Sequence, residues 1–262
     1  GGWGEGAGAG GARRAAGGDV VRQLGEIASA DPLTGLANRI RLSALLAKAL
    51  DPTDDNHIAS VGVFFIDLDR FKEINDTLGH EIGDQLLLEA AQRIQLCVRQ
   101  SDIVARLGGD EFVVSLPVET DTIHIGSLAQ KIIDAITQPF TLNEHLAYVS
   151  ASIGIATYPS DAENAEALLS CADQAMYAAK KRGRSGFSFF TPSMQAQADS
   201  RIHLTNDLRD AMSQQQFEVY YQPIVDIATG KVVKAEALLR WRHPVRGMVP
   251  PDLFIPVAED TG

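Results

Sequence analysis

The sequence contains few cysteines and no long hydrophobic run. Cys97 and Cys171 are the only cysteines among its 262 residues, which excludes a disulfide framework or a cysteine-based zinc site and indicates a reduced, cytoplasmic interior. No secretory signal is recognisable, and the longest strongly apolar run, at 61–66, is far too short to cross a bilayer. We therefore expect a cytoplasmic chain without membrane contact of its own, an expectation that leaves anchoring of a longer parent protein open.

Positively charged residues are also scarce. The sequence has 23 Lys and Arg against 34 Asp and Glu, which gives a net charge of −11. This balance argues against a general nucleic-acid-binding protein, which presents a basic surface. It does not exclude a nucleotide substrate, because metal ions neutralise phosphates locally. The length allows one large domain, or a medium domain plus part of another.

The patterns along the chain change several times. Residues 1–18 are almost entirely Gly and Ala and predict a flexible linker. Across 19–191, helical spacing predicts helices near 36–50, 82–98, 128–136 and 165–179, and apolar runs predict strands at 61–66, 103–107, 112–116, 147–155 and 187–190. The strand at 147–155 is expected to be half buried, because its apolar residues alternate with smaller or polar ones. The mixture predicts an α/β domain, followed by a linker helix at 192–216 and the strands of another unit at 217–262.

Four carboxylates occupy positions suited to chemistry. Asp67 and Asp69 come directly after the predicted buried strand, and Asp110 and Glu111 lie at the tip of a hairpin containing two glycines. At the end of a strand the backbone is fixed by the sheet, while the following loop remains accessible to a ligand. Glycines in a hairpin allow a ligand to approach the backbone closely, because they have no side chain. If the strands are neighbours, the carboxylates converge as hard ligands for Mg²⁺ or Mn²⁺, as in nucleotidyl-transfer sites. The alternative is that they are solvated turn residues.

The segment RLGGDEF at 106–112 carries the signature of GGDEF diguanylate cyclase domains. The resemblance extends to DPLTGLANR at 31–39, FIDLDRFKEINDTLGHEIGD at 65–84, SIGIA at 152–156 and AMYAAKKRGR at 175–184. It implies a palm-like fold akin to nucleotidyl cyclases and polymerases, with a central mixed sheet wrapped by helices. It also implies a metal-dependent reaction that joins two GTP molecules into cyclic di-GMP.

The resemblance implies roles for individual residues. The metal ligands would be Asp67, the Leu68 carbonyl, Asp110 and Glu111, with Asp110 and Glu111 also catalytic and Glu111 assisting the metal or acting as base. Guanine would be recognised by Asn75 and Asp84. The remaining substrate-binding groups would be Lys72, Lys180, Arg184, the amides of Arg70 and Phe71, and Gly108 and Gly109.

Simpler interpretations stay open for several of these residues. Asn75 could be a turn residue before a helix, and Asp84 a solvated acid on a helix. Lys180 and Arg184 could form the basic end of a helix, where they complement the macrodipole. If the family roles hold, one guanine pair per chain serves a product with two guanines, so catalysis requires a homodimer.

Arg99 and Asp102 lie shortly before the glycine hairpin. Their spacing matches the family's RxxD site, at which bound cyclic di-GMP inhibits the enzyme. Arg offers a planar fork to phosphate or guanine, and Asp can accept guanine donors. The alternative is a surface pair. Where many relatives have a second Arg in the following helix, this sequence has Lys131 and Ile133.

Residues 217–262 resemble the start of an EAL domain, a cyclic di-GMP phosphodiesterase built as a (β/α)8 barrel. The resemblance rests on YYQPIV at 220–225 and EALLRWRHP at 236–244. It implies that Glu236 is a metal ligand and that Gln222 and Arg240 touch substrate, with Glu236 and Arg240 on one strand face. The barrel is incomplete, so we expect no hydrolysis by this chain.

Two rival functions remain beside the cyclase. The chain could be a regulatory module that binds GTP or cyclic di-GMP without turnover. Degenerate relatives normally lose the hairpin carboxylates, so the presence of Asp110 and Glu111 favours the enzyme. A phosphodiesterase would fit a longer parent protein rather than these residues.

Overall fold

The computed structural model describes residues 29–55, 57–118 and 122–261. The chain divides into two compact units between Met194 and Gln195. The linker predicted at 1–18 and the start of the domain predicted from residue 19 lie outside the described residues.

The first unit is a mixed sheet flanked by helices. Its helices are α1 (Arg39–Leu50), α2 (Phe71–Leu78), α3 (His80–Cys97), α4 (Thr122–Thr137) and α5 (Ala165–Lys181). Its strands are β1 (Val61–Asp69), β2 (Ile103–Gly108), β3 (Glu111–Pro117), β4 (Phe140–Leu142), β5 (His145–Ala147), β6 (Ser150–Tyr158) and β7 (Gly186–Phe189). The sheet order is β2-β3-β1-β6-β7, with only the β6–β7 pair parallel, and β4 and β5 form a separate hairpin. The predicted α/β fold with a central mixed sheet is confirmed.

Local sequence explains where several helices begin. The Asn38 side chain accepts a hydrogen bond from the Arg41 amide, so α1 starts at Arg39 rather than at the predicted position 36. Asn164 caps α5 in the same way. Helix α2 was not predicted from the sequence because it is only eight residues long, although Phe71, Ile74 and Leu78 recur at helical spacing.

The central strands are buried on both faces. All nine residues of β1 are buried. One face packs against α3 and α4, and the other packs against α1 and α5. The prediction that β6 is half buried is wrong, because residues 151–156 are buried throughout. Gly154 shows the reason: a Cβ there would lie 1.9 Å from the Ala172 carbonyl oxygen, so the small residues of β6 admit the backbone of α5 rather than facing water.

The second unit contains α6 (Pro192–Ala211), whose first residues belong to the first unit, then β8 (Phe217–Val225), β9 (Val232–His243), β10 (Gly247–Val249) and α7 (Pro251–Thr261). Its antiparallel sheet has the order β10-β9-β8. Its buried core consists of Leu204, Ala211, Trp241, Val249, Phe254 and Val257. The segment predicted as a linker helix therefore contributes two core residues to this unit. Within the described parts of both units, no helix is long and apolar enough to span a membrane.

Candidate active site

The end of β1 and the β2–β3 hairpin bring the predicted carboxylates together. Asp67 and Asp69 lie inside β1 rather than after it, so the predicted end of that strand was too early. Asp67 is the register partner of Glu111 on β3. The Leu68 amide donates to the Asp110 carbonyl oxygen at 3.2 Å, which holds the hairpin tip beside the strand end. Three of the four predicted carboxylates, at 67, 110 and 111, therefore share one edge of the sheet.

Asp67 is a buried carboxylate in a crowded electrostatic environment. Its side chain is 9% exposed, and its Oδ2 lies 2.6 Å from Lys180 Nζ. Burial, with smaller contributions from the negative charges of Asp110 and Asp69, raises the pKa of Asp67 to about 6 even though Lys180 offsets part of the rise. A second positive charge at this position would therefore stabilise the ionised carboxylate.

Asp69 does not join the other three carboxylates. It accepts hydrogen bonds from Ser150 Oγ at 2.6 Å, Ser152 Oγ at 2.7 Å and the Ser185 amide at 3.1 Å. These bonds join β1 to the start of β6 and to the turn after α5, where Arg184 and Ser185 both have positive φ. Asp69 thus fixes the turn that carries Arg184.

Two residues that sequence reasoning missed lie beside Glu111. Arg39 NH2 is 3.9 Å from Glu111 Oε2. Burial and the charge of Asp173 raise the pKa of Glu111, while Arg39 lowers it. Arg39, Glu111 and Asp173 line a cleft of about 880 Å³ between α1 and α5. Two features of the sequence could have identified these residues. Arg39 is the last residue of the motif at 31–39, and Asp173 precedes Lys180 by about two helical turns, which places both on the same face of the helix.

Arg106 fixes the glycine hairpin to the start of the unit. Its NH1 donates to both carboxylate oxygens of Asp31, at 2.9 and 3.0 Å, while its Nε and NH2 donate to the Gly109 carbonyl oxygen at 3.0 and 2.7 Å. Burial alone would raise the pKa of Asp31, but hydrogen bonds from Thr34 and Arg106 hold it below its usual value. A single guanidinium therefore positions the tip that carries Asp110.

The predicted phosphate-binding residues are brought together only in part. Lys180 contacts Asp67 at the carboxylates. Lys72 is exposed on the first turn of α2, and Arg184 is exposed on the turn held by Asp69. Arg70 precedes α2 with φ 61 and gives it no side-chain cap. The Glu73 amide donates to the Arg70 carbonyl oxygen at 3.0 Å, and the amides of Phe71 and Lys72, which precede it, are the ones that could bind an anion.

The predicted guanine pair lies on two successive helices. Asn75 is inside α2 rather than in a turn before a helix, and Asp84 is exposed on α3. The Asn75 Oδ1 atom is buried and has no hydrogen-bond partner among the described residues.

The donor set fits a hard divalent cation. Among the described residues, no group of three or more His, Cys, Asp or Glu side chains is arranged to hold a metal ion. Burial and, to a smaller extent, the negative charge of Asp110 nevertheless raise the pKa of Asp67, and a cation bound to this carboxylate would offset both effects. Carboxylate and carbonyl oxygens are the ligands that Mg²⁺ and Mn²⁺ prefer. Two carboxylates and the Leu68 carbonyl would leave further positions for substrate oxygens.

Arg99 and Asp102 form a tight turn after α3. The Asp102 Oδ2 accepts from the Arg99 amide at 2.8 Å, and the Asp102 amide donates to the Arg99 carbonyl oxygen at 3.0 Å. In the described part of the chain, no ion pair joins their side chains. Lys131 Nζ donates to the Cys97 carbonyl oxygen at 2.9 Å, which places this ammonium at the end of α3 beside the turn.

The predicted residues of the second unit share one strand face. Gln222 on β8 is the register partner of Glu236 on β9, and Arg240 follows on the same face of β9 by alternation. The Arg240 guanidinium lies 5.9 Å from the centre of the Tyr220 ring. Gln222 and Glu236 are both exposed.

Comparison with known proteins identifies both regions. The family model described as "Diguanylate cyclase, GGDEF domain" matches residues 28–186, and the EAL domain model matches residues 205–262. The chain is 44% identical over 243 residues to the bifunctional diguanylate cyclase/cyclic di-GMP phosphodiesterase MucR of Pseudomonas aeruginosa. That match covers 92% of this chain and 35% of MucR, so the chain spans about a third of the length of such curated relatives.

Solved structures show the same domain. The GGDEF domain of YfiN (TpbB) from Pseudomonas aeruginosa is 42% identical with a TM-score of 0.57, and the match covers 60% of this chain and 98% of that domain. The coiled coil and GGDEF domain of DgcB from Caulobacter crescentus, in complex with c-di-GMP, is 25% identical with a TM-score of 0.58 and coverage of 68% and 94%. The chain belongs to the GGDEF diguanylate cyclase family, and its GGDEF domain is followed by the first part of an EAL domain.

Proposed function

We propose that the chain condenses two GTP molecules into cyclic di-GMP and two pyrophosphates, with Mg²⁺ or Mn²⁺, in the cytoplasm. The observation that carries the proposal is the edge formed by the end of β1 and the β2–β3 hairpin. There Asp67 is buried beside Asp110 and Glu111, and Arg106 fixes the hairpin tip. Burying like charges is costly, so a fold that keeps them together supports a site built for a cation and phosphates.

The cation would be held by Asp67, Asp110 and the Leu68 carbonyl, with Glu111 assisting. When bound, it would lower the pKa of the attacking 3′-hydroxyl and stabilise the charge on the phosphorus and on the leaving pyrophosphate. The fit rests on oxygen donors at one sheet edge and on the raised pKa of Asp67.

The remaining groups bind and orient GTP. The amides at the start of α2, with Lys72, Lys180 and Arg184, would contact the triphosphate. Asn75 and Asp84 would bind the guanine edge, because Asp84 can accept from N1–H and N2–H₂ and Asn75 can donate to ring acceptors. In each of two displacements, a 3′-oxygen attacks an α-phosphate, its proton passes to Glu111 or solvent, and pyrophosphate leaves.

The active site is proposed to form between two chains. Each chain offers one guanine pair, and the product contains two guanines, so two GTP-loaded domains must face each other about a twofold axis. Mixing an excess of Asp84→Ala chains with intact chains should lower the activity below that of the intact chains alone, as mixed dimers form. Activity proportional to the intact chain at every ratio would exclude a shared site.

Product inhibition through Arg99 and Asp102 is part of the proposal. Asp102 is held by the Arg99 backbone, and the Arg99 guanidinium is left exposed on the turn. That arrangement leaves a planar donor for a phosphate or a guanine edge. The solved GGDEF domain of DgcB was crystallised with c-di-GMP, which supports a nucleotide ligand for this family.

A regulatory module without turnover is the second candidate. Its specific support is the ammonium of Lys180 on Asp67 Oδ2, which already supplies a positive charge to the proposed ligand. The presence of both Asp110 and Glu111 favours the enzyme.

Incubation with GTP and Mg²⁺ or Mn²⁺, followed by chromatography of the nucleotides, tests the proposal. Cyclic di-GMP and pyrophosphate are expected, and added cyclic di-GMP should not yield linear pGpG. GTP binding without product would support the regulatory module. Formation of pGpG would show that the partial EAL domain is active.

A further inference from the structure

Gly83 lies where α3 faces α2, and its lack of a side chain is required by one neighbour. A Cβ atom at this position would lie 1.9 Å from Asn75 Oδ1, 3.0 Å from Asn75 Cγ and 3.3 Å from Phe71 Cζ. Gly83 is buried and lies in the first turn of α3. No side chain larger than hydrogen fits there unless Asn75 moves.

Asn75 is held in a specific orientation by this contact. Its Oδ1 is buried, makes no hydrogen bond to the described residues and lies against the Gly83 backbone. The contact is at most a weak Cα–H···O interaction. Because the amide oxygen and nitrogen diverge from Cγ, the Nδ2 group is directed away from Gly83. Asn75 therefore presents its two N–H donors away from Gly83.

We propose that Gly83 is a positioning residue that determines which nucleobase the site accepts. Because residue 83 has no Cβ, the Asn75 Oδ1 atom can pack against its backbone. In that orientation the Asn75 N–H groups can donate to acceptor atoms of a guanine ring. Gly83 also immediately precedes Asp84, the proposed acceptor for guanine N–H groups. The close approach of α2 and α3 at Gly83 therefore positions both Asn75 and Asp84. This inference rests on the proposed function.

The geometry predicts what a methyl group would do. The Asn75 backbone is fixed, because its carbonyl oxygen accepts from the Gly79 amide at 3.0 Å. A methyl group at position 83 would occupy the place of the Asn75 Oδ1 atom, so Gly83→Ala should rotate the amide away from its present position. Alanine favours helix over glycine, so this variant should keep its fold.

Calorimetry with unreactive nucleotides tests the inference without relying on turnover. The α,β-methylene analogues of GTP and ATP cannot release pyrophosphate, and each is titrated with Mg²⁺ into the full chain. Gly83→Ala should weaken binding of the guanosine analogue at least tenfold, about 1.4 kcal/mol, and leave the adenosine analogue unchanged. Gly126→Ala is the matched control, because a Cβ there would meet Phe187 at an ordinary 3.6 Å.

A double-variant cycle separates positioning from general damage. If Gly83 acts through Asn75, then Asn75→Ala should weaken the guanosine analogue by a similar factor, and Asn75→Ala combined with Gly83→Ala should add little more. Additive losses, or equal losses for both analogues with a lower melting temperature, would overturn the positioning role.

The wild-type chain distinguishes the two proposals. Equal binding of both analogues by the wild type would contradict the assignment of Asn75 and Asp84 to guanine recognition, and it would contradict the proposed function as well. Guanosine preference in the wild type that survives Gly83→Ala would overturn the role of Gly83 and leave the proposed function intact.

Discussion

The same turn occurs once in each unit, at 31–35 as DPLTG and at 226–230 as DIATG. In both, the aspartate accepts from the amide and hydroxyl of the threonine, and its carbonyl oxygen accepts from a glycine with φ near 70°. The pKa of both carboxyl groups is lowered. The difference is that Asp31 is largely buried and also binds Arg106, whereas Asp226 lies in an exposed loop. The local sequence makes the turn, and the tertiary structure decides whether it supports a site.

The two sheets repeat this contrast on a larger scale. Strand β1 is buried along its whole length, while the last seven residues of β8 are exposed. Large apolar side chains on the second sheet that remain exposed are Val219, Tyr220, Tyr221, Ile224, Val225, Val232, Val233, Leu239 and Met248. Carboxylates of the first sheet thus sit in a desolvated environment, and Glu236 of the second does not.

The largest expected effect is at the buried carboxylate. Asp67→Ala should reduce cyclic di-GMP formation about a thousandfold or more, because loss of a metal ligand removes several kcal/mol of transition-state stabilisation. Asp110→Ala should act in the same way. The matched variant in the second unit, Glu236→Ala, should leave cyclase turnover unchanged. Steady-state rates measured by chromatography decide this, and near-normal turnover by Asp67→Ala would end the metal assignment.

Trp241 tests the small core of the second unit. It is fully buried, contacts Phe217 and Phe254, and donates from Nε1 to Gln216 Oε1 at 2.8 Å. Trp241→Ala should cost about 3–5 kcal/mol of that unit's unfolding free energy. Thermal unfolding should then separate into two transitions, with cyclase turnover unchanged. Tyr221→Ala, at a side chain that is 70% exposed, should change little. Equal effects would mean that Trp241 is not the centre of this core.

The two aspartate turns should differ in how much their carboxylates stabilise the protein. Asp31→Asn should cost about 1–3 kcal/mol, since it removes charged hydrogen bonds to Arg106, and should lower turnover by loosening Gly109. The pKa of Asp31 is depressed in the folded state, so its contribution is present above the usual value of 3.8 and is lost as the pH falls through the lower folded value.

Comparing denaturant unfolding at neutral and acid pH checks this. The difference between wild type and Asp31→Asn should shrink as the pH falls below 4. Asp226→Asn is the control: its turn is the same but exposed, so its effect on stability should be smaller and its effect on turnover absent. A larger effect at Asp226 would contradict the role given to burial.

The smallest expected effect is at the exposed turn of the first unit. Cyclic di-GMP should inhibit in the micromolar range, about −8 kcal/mol of binding, and Arg99→Ala should weaken that binding by about 1–3 kcal/mol. Initial turnover should stay near normal, and Arg41→Ala, another exposed arginine, should change neither property. Calorimetric titration with cyclic di-GMP measures the difference. Equal binding by wild type and Arg99→Ala would mean that Arg99 and Asp102 form a surface turn without a role in binding cyclic di-GMP.

Much of the first unit could be predicted because its elements carry strong local patterns. The helix at 165–179, the hairpin around Gly108 and Gly109 and the apolar strand from Val61 all appeared near their predicted positions. Helix α2 was missed because it is only eight residues long, although Phe71, Ile74 and Leu78 recur at helical spacing and pack on the core. Strand β6 was expected to be half buried because alternation with small residues looks the same whether those residues face water or a helix backbone.

The sequence by itself determined the family, the order of the longer helices and strands, the local turns and the carboxylates at 67, 110 and 111, because each depends on residues close in the chain. Only the tertiary structure decided which distant groups meet. It placed Lys180 on Asp67, Arg106 between Asp31 and Gly109, and Arg39 beside Glu111. Such pairings follow from strand register and helix packing, and no local pattern encodes them because the partners are far apart in the chain.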